Sequence, residues 1–238
     1  FLSVLQWSPR KNLENTIGWF LEEFKEDENV GLIVKANVAR NSLIDRMHTE
    51  RRLKNLKDSV GEHKCKVYLL HGNLSDEEMV GLYNQDNIHA LINLAHGEGF
   101  GLPMFEAACH GLPVIAPNWS GQLDYMRAEV TTKSKGKKKT KTKFLGGKVD
   151  YSLAQIQPEA VWEDVLIPQS SWCYPKEKSY KRTLREVYKN HTRFVGQAKK
   201  LQTSINERFA EEKQNEKFVQ SVLNSMEDTS TAEEVITL

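Results

Sequence analysis

Short apolar runs alternate with stretches of helical spacing along most of this chain. The run Phe1 to Gln6 predicts a buried first strand, and Trp7 to Asn12 a turn. Leu13, Ile17, Phe20, Leu21 and Phe24 then recur at helical spacing, with Asn12 placed as the N-cap. Val30 to Lys35 predicts a second strand. Asn41 to Leu56 predicts a charged helix with Leu43, Ile44 and Met47 on one side, and Lys66 to Leu70 a third strand. Ser75-Asp76-Glu77-Glu78 is a capping box opening a helix that runs through Tyr83. His89 to Leu94 and Leu112 to Ala116 read as two further strands. Strand and helix in alternation imply an α/β fold, a doubly wound, Rossmann-like parallel sheet. Phe144 to Ile167 predicts short strands and turns, with Trp162, Trp172 and Tyr174 packed against the sheet. From Lys176 the pattern turns helical. Tyr180, Leu184, Val187 and Tyr188 form one face, which Phe194, Ala198, Leu201 and Ile205 continue. Phe209, Phe218, Val219, Val222 and Leu223 belong to a last helix. The expected organisation is an α/β domain over 1–175, a C-terminal helical extension over 176–225 packing on it, and a polar, frayed tail over 226–238.

The stretch Gly97-Glu98-Gly99-Phe100-Gly101-Leu102-Pro103-Met104-Phe105-Glu106 links two of those strands. Its glycines permit a tight turn and close approach to a ligand. Pro103 suits the first turn of a helix. The free N–H groups at that helix start, with the helix dipole, favour a phosphate. Two carboxylates beside an anion site would repel the anion, unless the same ligand carries a polyol for Glu98 and Glu106 to hydrogen-bond. A sugar nucleotide carries both. Arg10 and Lys11 lie where the first strand ends and a helix begins, the edge at which open α/β sheets bind ligands. Lys35 ends the second strand on that edge, either as a further phosphate contact or as a solvated strand end.

Over about twenty consecutive positions, Glu98-Gly-Phe-Gly-Leu-Pro-Met-Phe-Glu106-Ala-Ala-Cys-His-Gly-Leu-Pro-Val-Ile-Ala-Pro117 closely resembles the signature of retaining GT-B glycosyltransferases of family four. Pro9-Arg10-Lys11-Asn12 resembles their phosphate-binding loop. Gly121 and Asp124 fit loosely a glycine and an acidic residue that the family carries. The resemblance covers the chain to Leu223, loosely beyond Tyr125, and matches the C-terminal, donor-binding half of a GT-B fold. It implies transfer of a hexose from a nucleotide-diphosphate sugar with retention of configuration. Arg10, Lys11 and the amides around Gly99, Phe100, Gly101 and Leu102 would stabilise the leaving diphosphate. Glu98 would be the catalytic-site carboxylate that orients the donor sugar, and Glu106 would accept from the ribose hydroxyls. The base would lie near Gly72 and Asn73, mostly against backbone. No metal and no other cofactor is required, and no acidic D-x-D pair is present. PRKN-type loops lean the donor towards GDP-mannose, with UDP sugars open.

The same resemblance implies a missing N-terminal acceptor-binding domain, and the Phe1 start points to a chain cut from something longer. The residues as they stand are thus expected to bind donor weakly and turn over poorly. The acceptor, whether glycan, lipid or protein, is not read from the sequence. A GT-B-type epimerase or phosphorylase-like enzyme, or a non-catalytic binding module, are the rival readings. Glycoside hydrolysis by paired carboxylates is discounted, because a helix-start phosphate site has no role in it.

Composition narrows this further. The 238 residues carry a net charge of +1, so the chain as a whole is not built for nucleic acid or membrane. No apolar run is long enough to span a bilayer and no secretory signal is read. A cytoplasmic or membrane-peripheral location follows. Cys65, Cys109 and Cys173 are scattered and odd in number, which reads as reduced thiols. His71, His89, His96 and His110, with Cys109, match no zinc spacing and are read as core or loop residues. Thr131 to Lys143 is a low-complexity block with seven lysines. Such a block repels itself and is expected to be a mobile loop. The alternative is an electrostatic arm for an anionic acceptor, a phospholipid surface or nucleic acid. The absence of an interleaved aromatic argues against single-strand stacking.

Overall fold

The structure is a computed structural model that describes the backbone of residues 1–134 and 137–233, with side chains through 132 and from 138 to 226. Five strands open the fold: β1 (Leu2–Gln6), β2 (Gly31–Asn37), β3 (Lys66–Leu70), β4 (Leu91–Ile92) and β5 (Val114–Pro117). Helices α1 (Leu13–Glu23), α2 (Leu43–Val60), α3 (Asp76–Tyr83) and α4 (Leu102–Cys109) connect them. With β8 (Gly147–Val149) they form one parallel sheet in the order β3-β2-β1-β4-β5-β8. The winding therefore reverses between β1 and β4, where a ligand crevice is expected at the strand ends. β1 pairs with β2 over its full length, but with β4 through the single register pair Leu2↔Leu91.

Alternation along β1 fills both faces. Leu5 joins a core with Leu13, Ile17, Phe20, Leu21 and Phe24 of the first helical segment and Tyr180, Leu184 and Val187 from α6 (Glu177–Lys189). Leu2 joins the opposite core with Met104 and Ala107 of α4 and Leu201 and Ile205 of α7 (His191–Arg208). A parallel sheet covered on both faces takes apolar side chains on both. Each fully buried Leu, Ile or Phe contributes about 1.5–3 kcal/mol. The Tyr180 hydroxyl, wholly buried, donates to the Thr16 carbonyl at 3.1 Å and ties the C-terminal helices to α1. Cys65, Cys109 and Cys173 are free thiols.

Several expectations are revised. The lysine block does not form a loop: α5 (Leu123–Met126) leads into β6 (Arg127–Ser134), which pairs antiparallel with β7 (Lys137–Phe144). Lys139, Lys141 and Lys143 lie opposite Thr132, Val130 and Ala128, so these lysines face no like charge across the ribbon. Trp172 is buried in β10 (Ser171–Pro175), paired with β9 (Tyr151–Gln155), but Trp162 is 66% exposed, in an isolated bridge with Leu166. Leu43, Ile44 and Met47 face solvent, while Asp45, Thr49 and Leu53 form the buried side of α2. The tail expected to fray from 226 is helical through Glu233 in α8 (Glu211–Glu233), and 234–238 lie outside the described residues. Phe218, Val219, Val222 and Leu223 are exposed rather than packed, whereas Tyr188, though partly exposed, sets its ring edge-on against Phe24 at 5.8 Å.

Candidate functional site: a cation–carboxylate cluster at the sheet crevice

The β1 exit folds into a 3-10 turn over Pro9–Lys11, and Asn12 adopts a left-handed conformation at φ 55° before α1 begins. Asn12 occupies the N-cap position without capping through its side chain; its Nδ2 instead donates to the Leu94 carbonyl at 3.1 Å. That bond crosses from the β1 exit to the β4 exit, and the His96 amide donates back to the Arg10 carbonyl at 2.8 Å. The backbone thus aims Arg10 and Lys11 at the glycine loop.

There they meet Glu98. Lys11 Nζ reaches Glu98 Oε1 at 2.6 Å, and an Arg10 guanidinium nitrogen reaches Oε2 at 3.1 Å and the Gly97 carbonyl at 2.6 Å. Asn93 Nδ2 adds a bond to Oε1 at 3.2 Å. The Glu98 side chain is only 7% exposed, against 16% for Lys11 and 40% for Arg10. Burial by itself would raise the carboxyl's pKa. The bond to Lys11 and its charge, with those from Asn93 and Arg10, outweigh it and hold the group below its ordinary value. Glu98 is therefore an ionised acceptor. Its main chain is braced by Ser120, whose hydroxyl accepts from the Glu98 N–H at 3.1 Å and donates to its carbonyl at 2.7 Å. Ser120 itself stands at φ 71°, a strained conformation for a residue with a Cβ.

The glycines divide into two kinds. Gly101 sits at φ 82° as the residue before α4. Gly121 has no room for a side chain, since a Cβ there would lie 1.8 Å from the Gly99 carbonyl oxygen. Gly99 itself borders open space. Among the described residues, the amides of Gly99, Phe100, Gly101 and Leu102 have no backbone acceptor, which leaves the start of α4 open to an anion. The Phe100 ring turns away into a cluster with Phe105, Tyr125 and Phe209, so only its main chain is available to a ligand. Leu102 is 60% exposed at the mouth.

Glu106 lies one turn into α4 and is half-buried. It accepts a 2.8 Å hydrogen bond from the Tyr83 hydroxyl and makes no direct contact with Arg10, Lys11 or Glu98. Burial, with the bond to Glu106, raises the Tyr83 phenol far above its usual value and keeps it a donor. Gly72, at φ 117°, accepts from Lys35 at 2.5 Å, and the Asn73 side chain accepts from Asn41 at 2.5 Å. Lys35 is therefore occupied with the β3 exit loop. The sheet order puts all of these loops on the strand-end edge. The arrangement directly joins Arg10, Lys11 and Glu98, and couples Glu106 to Tyr83 and Gly72 to Lys35 separately. A hollow of about 600 Å³ lined by Phe1, Gly31, Tyr68, His89 and His191 opens at the opposite edge and contains none of the site residues.

Sequence reasoning missed Asn93, Ser120 and Tyr83. Asn93 had a readable signal, one amide inside the apolar run Ala90 to Leu94. His96 is buried between Trp172, stacked at 5.1 Å, and Tyr174, with Nδ1 held to the Cys173 carbonyl at 2.6 Å. Burial lowers its pKa, against the raising effect of that carbonyl. It is neutral and clamps the β9–β10 hairpin to the glycine loop.

A doubly wound parallel sheet, with a glycine loop and a cation pair at its switch point, defines a Rossmann-like domain of the GT-B kind. The chain belongs to the family of glycosyl transferases group 1, whose family model matches residues 1–144. It is 35% identical over 117 residues to the serotype-specific mannosyltransferase WbdA of Escherichia coli, covering 48% of this chain and 13% of that protein. The fold is similar to the C-terminal domain of the glycosyl transferase group 1 protein LpcC from Francisella tularensis, with TM-score 0.51 and 14% identity over 87% of this chain and 85% of that one. It is also similar to sucrose-phosphate synthase from Thermosynechococcus elongatus, with TM-score 0.57 and 14% identity over 94% of this chain and 45% of that one. Anabaena HepE, solved with UDP and glucose, gives TM-score 0.55 and 13% identity over 94% and 47%. The chain spans about an eighth of the length of the curated relatives it matches. Among the described residues no helix is long and apolar enough to cross a membrane.

Proposed function

We propose that this chain holds the nucleotide-diphosphate sugar in a hexosyl transfer that retains anomeric configuration. The observation that carries this is the Lys11–Glu98–Arg10 cluster formed across the β1–β4 crevice. Lys11 has three N–H donors and Arg10 five, and Glu98 uses few of them. Two cations and one buried carboxylate leave net positive charge facing the crevice beside the open amides of Gly99 to Leu102. A diphosphate fits that balance, and fixed donors there would stabilise the charge that develops on it as the sugar leaves. No metal is invoked in this reading.

Glu98 keeps one unused lone pair, on Oε2, with which to accept from a donor-sugar hydroxyl and set the ring's orientation. Glu106, oriented by Tyr83, accepts from the ribose, and the base lies by Gly72 and Asn73. GDP-mannose is the first donor to test, because the curated relatives are mannosyltransferases. UDP-glucose is the second, because HepE was solved with UDP and glucose. The acceptor, glycan, lipid or protein, is met by a second domain, a reading supported by this chain covering only 45% of sucrose-phosphate synthase and 47% of HepE. The test is calorimetry with both donors against wild type, Arg10→Ala and Glu106→Ala. Binding is expected for wild type and should weaken at least tenfold in each variant. Binding that survives both substitutions removes the site.

A further inference from the structure

We propose that the β6–β7 ribbon is an electrostatic docking surface for an anionic phospholipid bilayer. Residues 127–144 hold eight of the chain's 33 Lys and Arg but only one of its 32 Asp and Glu. The remainder, 25 cations against 31 carboxylates, is net acidic. The molecule is therefore strongly polarised, and its cationic pole is one two-stranded element. Lys139, Lys141 and Lys143 alternate on β7 and so share a face, about 7 Å apart. They and Lys138 are exposed, and none forms an ion pair among the described residues. Across the ribbon that face carries Thr132, Val130 and Ala128 and no carboxylate; Ala128 is buried and Val130 packs on the core, so the base of the face rests on the protein while its lysines stay exposed. One or two lysines suffice to guard an exposed strand edge against pairing. Seven within thirteen residues exceed that need.

The described lysines of the ribbon take no part in the Arg10–Lys11–Glu98 cluster, which favours docking over donor binding. The Leu145 amide bonds the Met126 carbonyl, and Gly147 pairs with Ile115 near the start of β5. The base of the ribbon is thus fixed on two sides, through Leu145 ahead of β8 and through Arg127, which donates to the Asn118 side chain at 3.0 Å just past the end of β5. The residue types favour a bilayer over nucleic acid. Lysine is a hydrated point charge suited to a diffuse anionic plane, whereas base recognition draws on the planar arginine fork and on aromatic stacking. The ribbon's sole arginine is Arg127 at its base, and its sole aromatic, Phe144, sits at the same end.

The test is sedimentation of the chain with phosphatidylcholine vesicles containing 30% phosphatidylglycerol or none, over a salt series. Binding is expected only to the anionic vesicles and should fall more than tenfold between low and moderate salt. Each surface lysine is worth about fivefold in partitioning. K139Q/K141Q/K143Q should then lose about a hundredfold, and the matching triple arginine variant should retain binding. Circular dichroism checks that the variants are folded, and the wild-type salt series decides the question if they are not. Equal binding to neutral vesicles, salt-insensitive binding, or a folded triple glutamine variant that binds as wild type overturns the proposal. So does an RNA or DNA oligonucleotide bound more tightly than the anionic vesicles at the same salt.

Discussion

Replacing Glu98 with Gln tests the cluster most directly, because the amide keeps the shape and removes the charge. In the wild type the carboxylate accepts from Lys11 at 2.6 Å and from Arg10 at 3.1 Å while its own side chain is 7% exposed. Charge-assisted hydrogen bonds contribute about 1.5–3 kcal/mol and neutral ones about 0.5–1.5. Glutamine offers one acceptor oxygen in place of two, so one of these bonds is lost and the other loses its ion-pair component, which together costs roughly 2–3 kcal/mol. Arg10 is 40% exposed and rehydrates when released, so its share is discounted, leaving about 2 kcal/mol. With a urea slope of about 3 kcal/mol/M, the unfolding midpoint should fall by roughly 0.7 M at pH 7. The pH dependence carries the diagnosis. Glu98 titrates below its ordinary 4.5 when folded, so its stabilisation is fully present above that value. It is lost as pH falls through the folded value. Wild type and variant should therefore differ by a constant amount above pH 4.5 and converge below it. In calorimetry the variant should still bind the bare nucleoside diphosphate, since both cations remain, but should lose the increment due to the sugar. A variant as stable as wild type at pH 7, or a gap that widens in acid, would refute the reasoning.

Other outcomes follow from individual contacts. Gly121→Ala should lose about 3 kcal/mol or more in urea unfolding, because a Cβ meets the Gly99 backbone at 1.8 Å; Gly99→Ala, bordering open space, should cost under 1 kcal/mol. Tyr83→Phe deletes the 2.8 Å bond to Glu106 and should cost about 1 kcal/mol of stability and several-fold in nucleotide affinity by calorimetry. His96→Ala removes the bond to the Cys173 carbonyl and the stack on Trp172, so amide exchange should quicken across Ser171–Pro175 while α1 stays protected. Cys173, its thiol pushed up to about 12 by burial, should stay unmodified by alkylating reagents at pH 8 until the chain unfolds.

What the sequence made readable tracks what local physics decides. β3 was predicted residue for residue and the α3 capping box is formed, because apolar runs and caps are short-range signals. The glycine loop and its following helix were also readable. That Lys11 and Glu98, 87 residues apart, belong to one site was expected only through the family resemblance, and their direct bond was not read at all, since the topology that makes it is long-range. The lysine block was misread because composition counts charges without their partners. Once β6 supplies threonines and small apolar residues opposite β7, the ladder forms with few cross-strand repulsions. α2 shows the converse: Leu43, Ile44 and Met47 were visible on one side, but burial went to Asp45, which accepts the amides of Val38, Ala39 and Asn41 and pins the β2 exit.

The ladder between β1 and β4 has a single rung, so main-chain pairing contributes little cohesion where the two wound halves of the sheet adjoin. Ser3 to the Ile92 carbonyl, Asn12 to the Leu94 carbonyl, and the Lys11 and Arg10 bridges to Glu98 act as rivets along that seam. Groups available to grip a ligand are thus also what fastens one half of the molecule to the other. Selection that retunes donor preference through them must at the same time retune the strength of the joint.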